Sequence, residues 1–275
     1  VEMVSPILIL GTGRCGSTYL QTSLSGVSDI WIWGEHDGIL RGLFTWARNT
    51  RSSKALNTFS FPYVGEDPYE TLQRDGTRAA WVCPFDKSDI EEIERNIIIE
   101  LFSRRLPDGK KRWGFKEIRY GPNSGVPERM LTLFPAAKII HVVRDPRTSI
   151  SSSIRAWNRE VFDAGTDTGA LENQIAGLVA SYVDRWVGTT QYFEALCATN
   201  ADQARTVKIE QADDEFPAIL DFLEAEPVRS SVEVASETNP ARNDPEVSKL
   251  IDRYLEEAMA ENSVLAELSR KLGYS

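Results

Sequence analysis

The feature that most constrains this chain lies near its start. A short apolar run, Pro6-Ile-Leu-Ile-Leu10, stops at Gly11-Thr-Gly-Arg-Cys-Gly16 and resumes as Ser17-Thr-Tyr-Leu-Gln-Thr-Ser-Leu24. An apolar run without alternation is what a strand buried on both faces requires. The glycines break it, and Leu20 with Leu24 restores helical spacing. Strand, glycine loop and helix together aim backbone N–H groups and a helix N-terminus at an anion, a phosphate above all. A strand covered on both faces also needs parallel neighbours and helices to cover it, so the opening segment already points to an α/β fold.

The rest of the chain supplies those neighbours. Ile30–Trp33, Trp113–Ile118, Lys138–Val143 and Thr206–Ile209 read as further short strands, the first running straight into Gly34-Glu-His-Asp-Gly38. Ser88-Asp-Ile-Glu91 has capping-box spacing and predicts a helix with Ile90, Ile93, Ile97 and Leu101 on one side. Asp145-Pro146 supplies a cap and a first-turn proline, followed by Ile150, Ile154 and Trp157 at helical spacing. Residues 170–197 predict a long amphipathic helix with Leu171, Ile175, Leu178, Tyr182 and Trp186 along one stripe, and two more helices close the chain. Segment 41–87 has no clear period and reads as loops and short helices. Strands alternating with helices predict a three-layer α/β/α domain over residues 1–275, with a central, mostly parallel sheet of about five strands.

Charge and cysteine usage narrow the function. A net charge of −10 disfavours a general nucleic-acid or heparin surface, so an anionic ligand would need a local positive pocket. Cys15, Cys83 and Cys197 form no CxxC pair, which predicts neither a disulfide framework nor a zinc site and fits a reducing, cytoplasmic setting. No apolar run approaches the ~20 residues of a membrane span, and Pro6–Leu10 reads as a strand rather than a signal peptide. Lys110-Lys-Arg112 reads as a solvated loop, and His141, among valines, as a core histidine.

Three ligands compete for the glycine loop. Gly11-Thr-Gly13-Arg-Cys-Gly16 matches the dinucleotide pattern GxGxxG, and Glu35 follows the second strand where a ribose contact would sit, as in an NAD(P)-dependent oxidoreductase. The spacing of Gly11 and Gly16 also fits a nucleotide triphosphatase, but Ser17 stands where that motif needs Lys. The third reading uses Arg14 within the loop and Ser17 and Thr18 after it, a cation and two hydroxyls that can grip a phosphosulfate without a metal. Far along the chain a strand ends in Arg144, and Ser152 follows in the next helix, so the two can converge on a second phosphate.

With these two motifs in this order, the chain resembles the 3′-phosphoadenosine 5′-phosphosulfate (PAPS)-dependent sulfotransferase family, in its bacterial and carbohydrate-sulfotransferase-like branch. The resemblance implies that Gly13, Arg14, Cys15, Gly16, Ser17 and Thr18 hold the 5′-phosphosulfate and that Arg144 and Ser152 hold the 3′-phosphate. Cys15 departs from the family's commoner Ser or Gly. The implied reaction is metal-free, in-line sulfuryl transfer from PAPS to the hydroxyl or amine of a small-molecule, glycan or natural-product acceptor.

Such a transfer needs a cation for the leaving phosphate and a base for the acceptor. Arg14 is the natural cation. Glu35, at the same sheet edge as the loop, is the preferred base, in keeping with the glutamate of several relatives. His36 is the alternative. Lys116 closes the third strand and is a second candidate cation, unless it is merely ion-paired to Glu117. Arg242 lies in a late loop of the kind that relatives fold over the nucleotide. A binding module that keeps Arg14 and Arg144 without a working base is the non-catalytic alternative, and segment 41–87 is expected to shape acceptor choice.

Overall fold

The computed structural model describes residues 5–26, 29–60, 65, 67–75, 83, 85–158, 161, 168–225 and 244–274. In chain order the elements are β1 (Ile7–Gly11), α1 (Ser17–Ser25), β2 (Ile30–Trp33), α2 (Leu40–Ser52), α3 (Lys54–Phe59), α4 (Pro68–Asp75), α5 (Lys87–Ser103), β3 (Arg112–Glu117), α6 (Val126–Leu133), β4 (Lys138–Val143), α7 (Pro146–Trp157), α8 (Thr168–Thr199), β5 (Ala204–Lys208), α9 (Phe216–Leu223), α10 (Pro245–Glu261) and α11 (Ser263–Lys271). The strands form one five-stranded sheet in the order β2-β3-β1-β4-β5, every pair parallel. β1, fully buried, is its centre.

That order decides between two of the sequence readings. A dinucleotide fold of the Rossmann type keeps its first two strands adjacent. Here β3 is inserted between β1 and β2, with Leu8 beside Phe115 and Trp33 beside Phe115 on the other side. All five strands run the same way, so their C-terminal ends, and the loops that follow, line up along one edge.

Helices cover both faces. One face packs Leu8, Leu10, Phe115 and Ile139 against α2, α5 and α6. The other packs Ile7, Ile9, Ile32 and Val142 against α1 and α9. Beyond β4, a third cluster joins α7, α8, α10 and α11 through Ile150, Ile154, Ile175, Trp186 and Ile251. His141 is buried and stacked on Phe193 at 4.5 Å between ring centres. Asp145 caps α7 by accepting from the Thr148 N–H, with Pro146 in the first turn.

Several local expectations need correction. The capping box of α5 is made by Asp86 and Asp89, not Ser88 and Glu91. Its inner stripe is Ile90, Glu94, Ile98 and Phe102, while Ile97 and Leu101 are exposed. A buried carboxylate defines that face: Glu94 is ion-paired with Arg51 at 2.9 Å and with Arg129. Segment 41–87 contains α2, a full amphipathic helix with Leu40, Phe44 and Ala47 inward. Arg112 is not solvated; it starts β3 and donates from Nε to the Ser5 carbonyl at 2.7 Å. In α7, Ile150 and Ile154 are buried and Trp157 is exposed.

Candidate active site

The glycine loop leaves β1 and enters α1 through two left-handed residues, Arg14 (φ 61°) and Gly16 (φ 87°). At Gly13 a Cβ would fall 1.8 Å from Trp157 Cη2, so any other residue there would have to displace the indole. A left-handed arginine is uncommon and marks a backbone held in place by its surroundings. The anchors are visible. Ser149 Oγ of α7 donates to the Gly13 carbonyl at 3.2 Å, and Ser153 Oγ, which donates to the Ser149 carbonyl at 2.8 Å, lies 3.4 Å from it. α1 begins without a side-chain cap, and in its first turn the Tyr19 N–H donates to the Gly16 carbonyl at 2.9 Å. Ser17 is buried there and Thr18 exposed. Cys15 lies completely buried under the loop, and burial raises its thiol pKa, so it acts as a small apolar filler.

The two anion motifs read from the sequence meet. Arg14 Nε donates to Ser152 Oγ at 3.0 Å, and Arg144 Nη1 to the Arg14 carbonyl at 3.4 Å. The Arg144 carbonyl accepts from Trp186 Nε1 of α8 at 3.2 Å, which ties the end of β4 to the third helical cluster.

Lys116 and Glu117 show how a strand's two-residue period builds a site. Lys116, in register with Ile9, emerges on the α1 face. Its Nζ is 2.8 Å from Glu35 Oε1 and 3.3 Å from Thr18 Oγ1. The expected alternative, a pair between Lys116 and Glu117, is not what forms. Glu117 points to the opposite face, fully buried, and holds the turn after β2. Its Oε2 accepts from the Gly38 and His36 N–H groups at 2.9 and 3.2 Å, and its Oε1 from Arg119 Nη1 at 2.8 Å. Burial alone would raise the Glu117 pKa, but these donors outweigh it and hold it below the ordinary value.

Glu35 thus sits between two cations, Lys116 and Arg119, the latter at 2.9 Å from Oε2. Its side chain is 31% exposed. Two of a carboxylate's roughly four acceptor positions are occupied, and the others are open to an incoming hydroxyl. His36 is different. Its ring stands edge-on to Phe102 and Phe115, with Nε2 2.8 Å from the Tyr120 hydroxyl, and burial lowers its pKa. The imidazole is enclosed among aromatic rings. Arg242 lies outside the described residues. From the sequence, Arg119 reads only as a second cation closing the third strand and Trp157 only as part of a helical stripe, and neither gains a place in the site. Ser149 and Ser153 are not singled out, since they act through a helix face that no motif marks.

Cations from the ends of β3 and β4, a glycine loop after β1 and a carboxylate after β2 converge on one edge of a parallel sheet. Fold and site together define an α/β protein built to handle a phosphate-like anion. The sulfotransferase family model matches residues 6–226, and the chain belongs to that family of sulfuryl-transferring enzymes. Solved structures agree in fold. The sulfotransferase domain from the curacin biosynthetic pathway is 16% identical, covering 100% of this chain and 99% of that one with a TM-score of 0.56. The sulfotransferase domain of the Synechococcus PCC 7002 olefin synthase is 18% identical, covering 100% and 98% with a TM-score of 0.54. No curated protein sequence matches this chain.

Proposed function

We propose that this sulfotransferase uses PAPS as its donor and transfers the sulfuryl group directly to a hydroxyl, or an amine, of a small-molecule, glycan or natural-product acceptor. The observation that carries the reading is the junction of Arg14, Ser152 and Arg144, two cation motifs 130 positions apart in sequence that share hydrogen bonds. A nucleotide with phosphate groups at both its 3′ and 5′ positions is the ligand that such a pair of adjoining sites fits.

In this reading the loop Gly13–Thr18 binds the 5′-phosphosulfate with backbone N–H groups, Arg14 and the Ser17 and Thr18 hydroxyls. Arg144 and Ser152 bind the 3′-phosphate. Glu35 accepts the acceptor's proton as the acceptor oxygen bonds to sulfur. The sulfur–oxygen bond to the 5′-phosphate breaks, releasing 3′-phosphoadenosine 5′-phosphate (PAP). Lys116 and Arg14 stabilise the negative charge growing on that leaving phosphate. His36 and Glu117 position the Glu35 turn, Arg242 belongs to the nucleotide cover, and segment 41–87 shapes the acceptor side. Residues 1–275 act as one domain, in a reducing, cytoplasmic setting that suits three unpaired cysteines.

Calorimetry tests the donor assignment. PAP is expected to bind much more tightly than AMP, with EDTA making little difference. Equal affinity for AMP, or dependence on magnesium, would remove Arg144 and Ser152 from the site. A preference for NAD would return Glu35 to a ribose contact.

A further inference from the structure

Next to Glu35 lies an open cleft of about 380 Å³, bordered by the end of β3, the turn after it and the middle of α8. Its volume is in the range of small-ligand sites. Arg119 belongs to both places: it pairs with Glu35 at 2.9 Å and lines the cleft. The cleft therefore adjoins Glu35 through Arg119.

Arg41, Arg119 and Arg185 line it with one acid, Asp184, in a chain of net charge −10. Arg119 is already paired with Glu35, Asp37 and Glu117, which leaves the charges of Arg41 and Arg185 to the cleft. Acids outnumber bases in this chain, 41 to 31, and other arginines find carboxylates: Arg51 and Arg129 on Glu94, Arg147 on Glu256, Arg205 on Glu215. Arg41 and Arg185 have no carboxylate partner among the described residues. Arg41 Nη2 donates to the Arg119 carbonyl, and Arg185 Nη2 to the Ile118 carbonyl at 3.4 Å. Those carbonyls belong to consecutive residues, so guanidinium groups from α2 and α8 are drawn to one spot on the cleft wall. Each guanidinium has five N–H donors, and a single contact to a neutral carbonyl leaves most of them unused. Two guanidinium groups with spare donors lining one cleft match the oxygens of a carboxylate or phosphate. A Cβ at Gly188 of α8 would meet nothing within 4 Å, so there is open space beside that helix.

We propose that the acceptor carries an oxyanion of its own, a carboxylate or a phosphate, clamped by Arg41 and Arg185 while its hydroxyl faces Glu35. The inference rests on the sulfuryl-transfer reading for the role of the cleft, but the anion clamp can be measured without turnover.

The experiment is calorimetric titration of the protein with 4-hydroxyphenylacetate, 4-hydroxyphenyl phosphate and the neutral 4-hydroxyphenylacetamide, with and without PAP. Either oxyanion is expected to bind about tenfold or more tightly than the amide, the scale of one hydrogen bond to a charged group. Arg41→Ala and Arg185→Ala are each expected to remove most of that preference, Arg185→Lys to restore part of it, and Asp184→Asn to increase it. PAP affinity, measured on the same samples, reports that the variants are folded. The better of the two oxyanions identifies the acceptor's group. Equal binding of acid and amide, no saturable oxyanion binding at millimolar concentration, or variants that weaken acid and amide alike would each overturn the clamp. Arg-dependent oxyanion binding without any PAP binding would instead leave the clamp standing and remove the donor assignment.

Discussion

Glu117→Gln is the substitution that most directly tests how the fold holds the site. The carboxylate is fully buried, and each oxygen is committed. Oε2 accepts the Gly38 and His36 N–H groups, and Oε1 accepts the Ile118 N–H at 2.9 Å, the Arg119 N–H at 3.2 Å and the Arg119 guanidinium at 2.8 Å. Glutamine has the same shape but must turn an NH₂ toward one of these two groups of donors. In either orientation at least two backbone N–H groups lose their acceptor, and Arg119 loses one of the carboxylates it pairs with. Two lost bonds to a charged acceptor, at about 1.5–3 kcal/mol each, give a destabilisation of about 3–6 kcal/mol. At about 2–4 °C per kcal/mol for a chain of this size, the melting temperature is expected to fall by about 10 °C. Turnover should fall further than stability at the assay temperature accounts for, because the turn bearing Glu35 loses its anchor. pH supplies an independent check. The Glu117 pKa in the folded protein lies below its ordinary value of 4.5, so its contribution is present above that pH and is lost as pH falls through the folded value. The gap between wild type and Glu117→Gln should therefore narrow in acid. Urea denaturation at neutral and acidic pH measures both quantities. A variant as stable as wild type at neutral pH, or a gap that widens in acid, would refute this account of the turn.

Arg144→Ala is expected to weaken PAP by about 1.5–3 kcal/mol and Ser152→Ala by less, read by calorimetry; unchanged affinity in a folded Arg144→Ala protein contradicts the 3′-phosphate assignment. Glu35→Gln should lower turnover by about 10²–10⁴-fold with little change in PAP affinity, and His36→Ala should cost less; the reverse ranking in steady-state kinetics would exchange their roles. Burial lowers the His141 pKa to about 3 from 6.5, so below pH 6.5 the unfolded chain binds a proton that the folded protein does not. That removes about 1.4 kcal/mol of stability at pH 5.5, and a folded His141→Phe protein should lack this part of the acid sensitivity in thermal melts.

The strands were legible because each is an apolar run too short for a helix and bounded by turn residues. Their order was not. Nothing in residues 30–33 or 112–117 says that β3 slips between β1 and β2, since that depends on contacts across eighty residues. The stripe of α5 was misread because Ile97-Ile-Ile99 offers helical stripes in more than one register, and a glutamate is normally assigned to solvent. Glu94 is inward only because Arg51 and Arg129 reach it from other helices. The candidate site was far easier. Arg14, Glu35, Lys116 and Arg144 all follow or end strands, and in a parallel sheet that position alone brings them to one edge. Arg185 and Trp186 lie in the middle of a long helix, where the sequence offers no punctuation, and their nearness to the site follows only from how α8 packs.

The placement of β1 at the centre of the sheet has a kinetic consequence. Ile7 pairs with Gly114 on one side and with Lys138 on the other, so the middle strand must close loops of more than a hundred residues before either neighbour is in place. Contacts this distant in sequence make folding slow, because chain entropy is lost long before the pairing that compensates for it. During synthesis from the N-terminus, at about 5–20 residues per second, Ile7-Leu-Ile-Leu10 would stay unpaired for several seconds as an apolar edge on both sides. A nascent chain of this protein is thus expected to rely on chaperones until β4 has emerged, and to gain nucleotide binding abruptly with sheet closure rather than in stages.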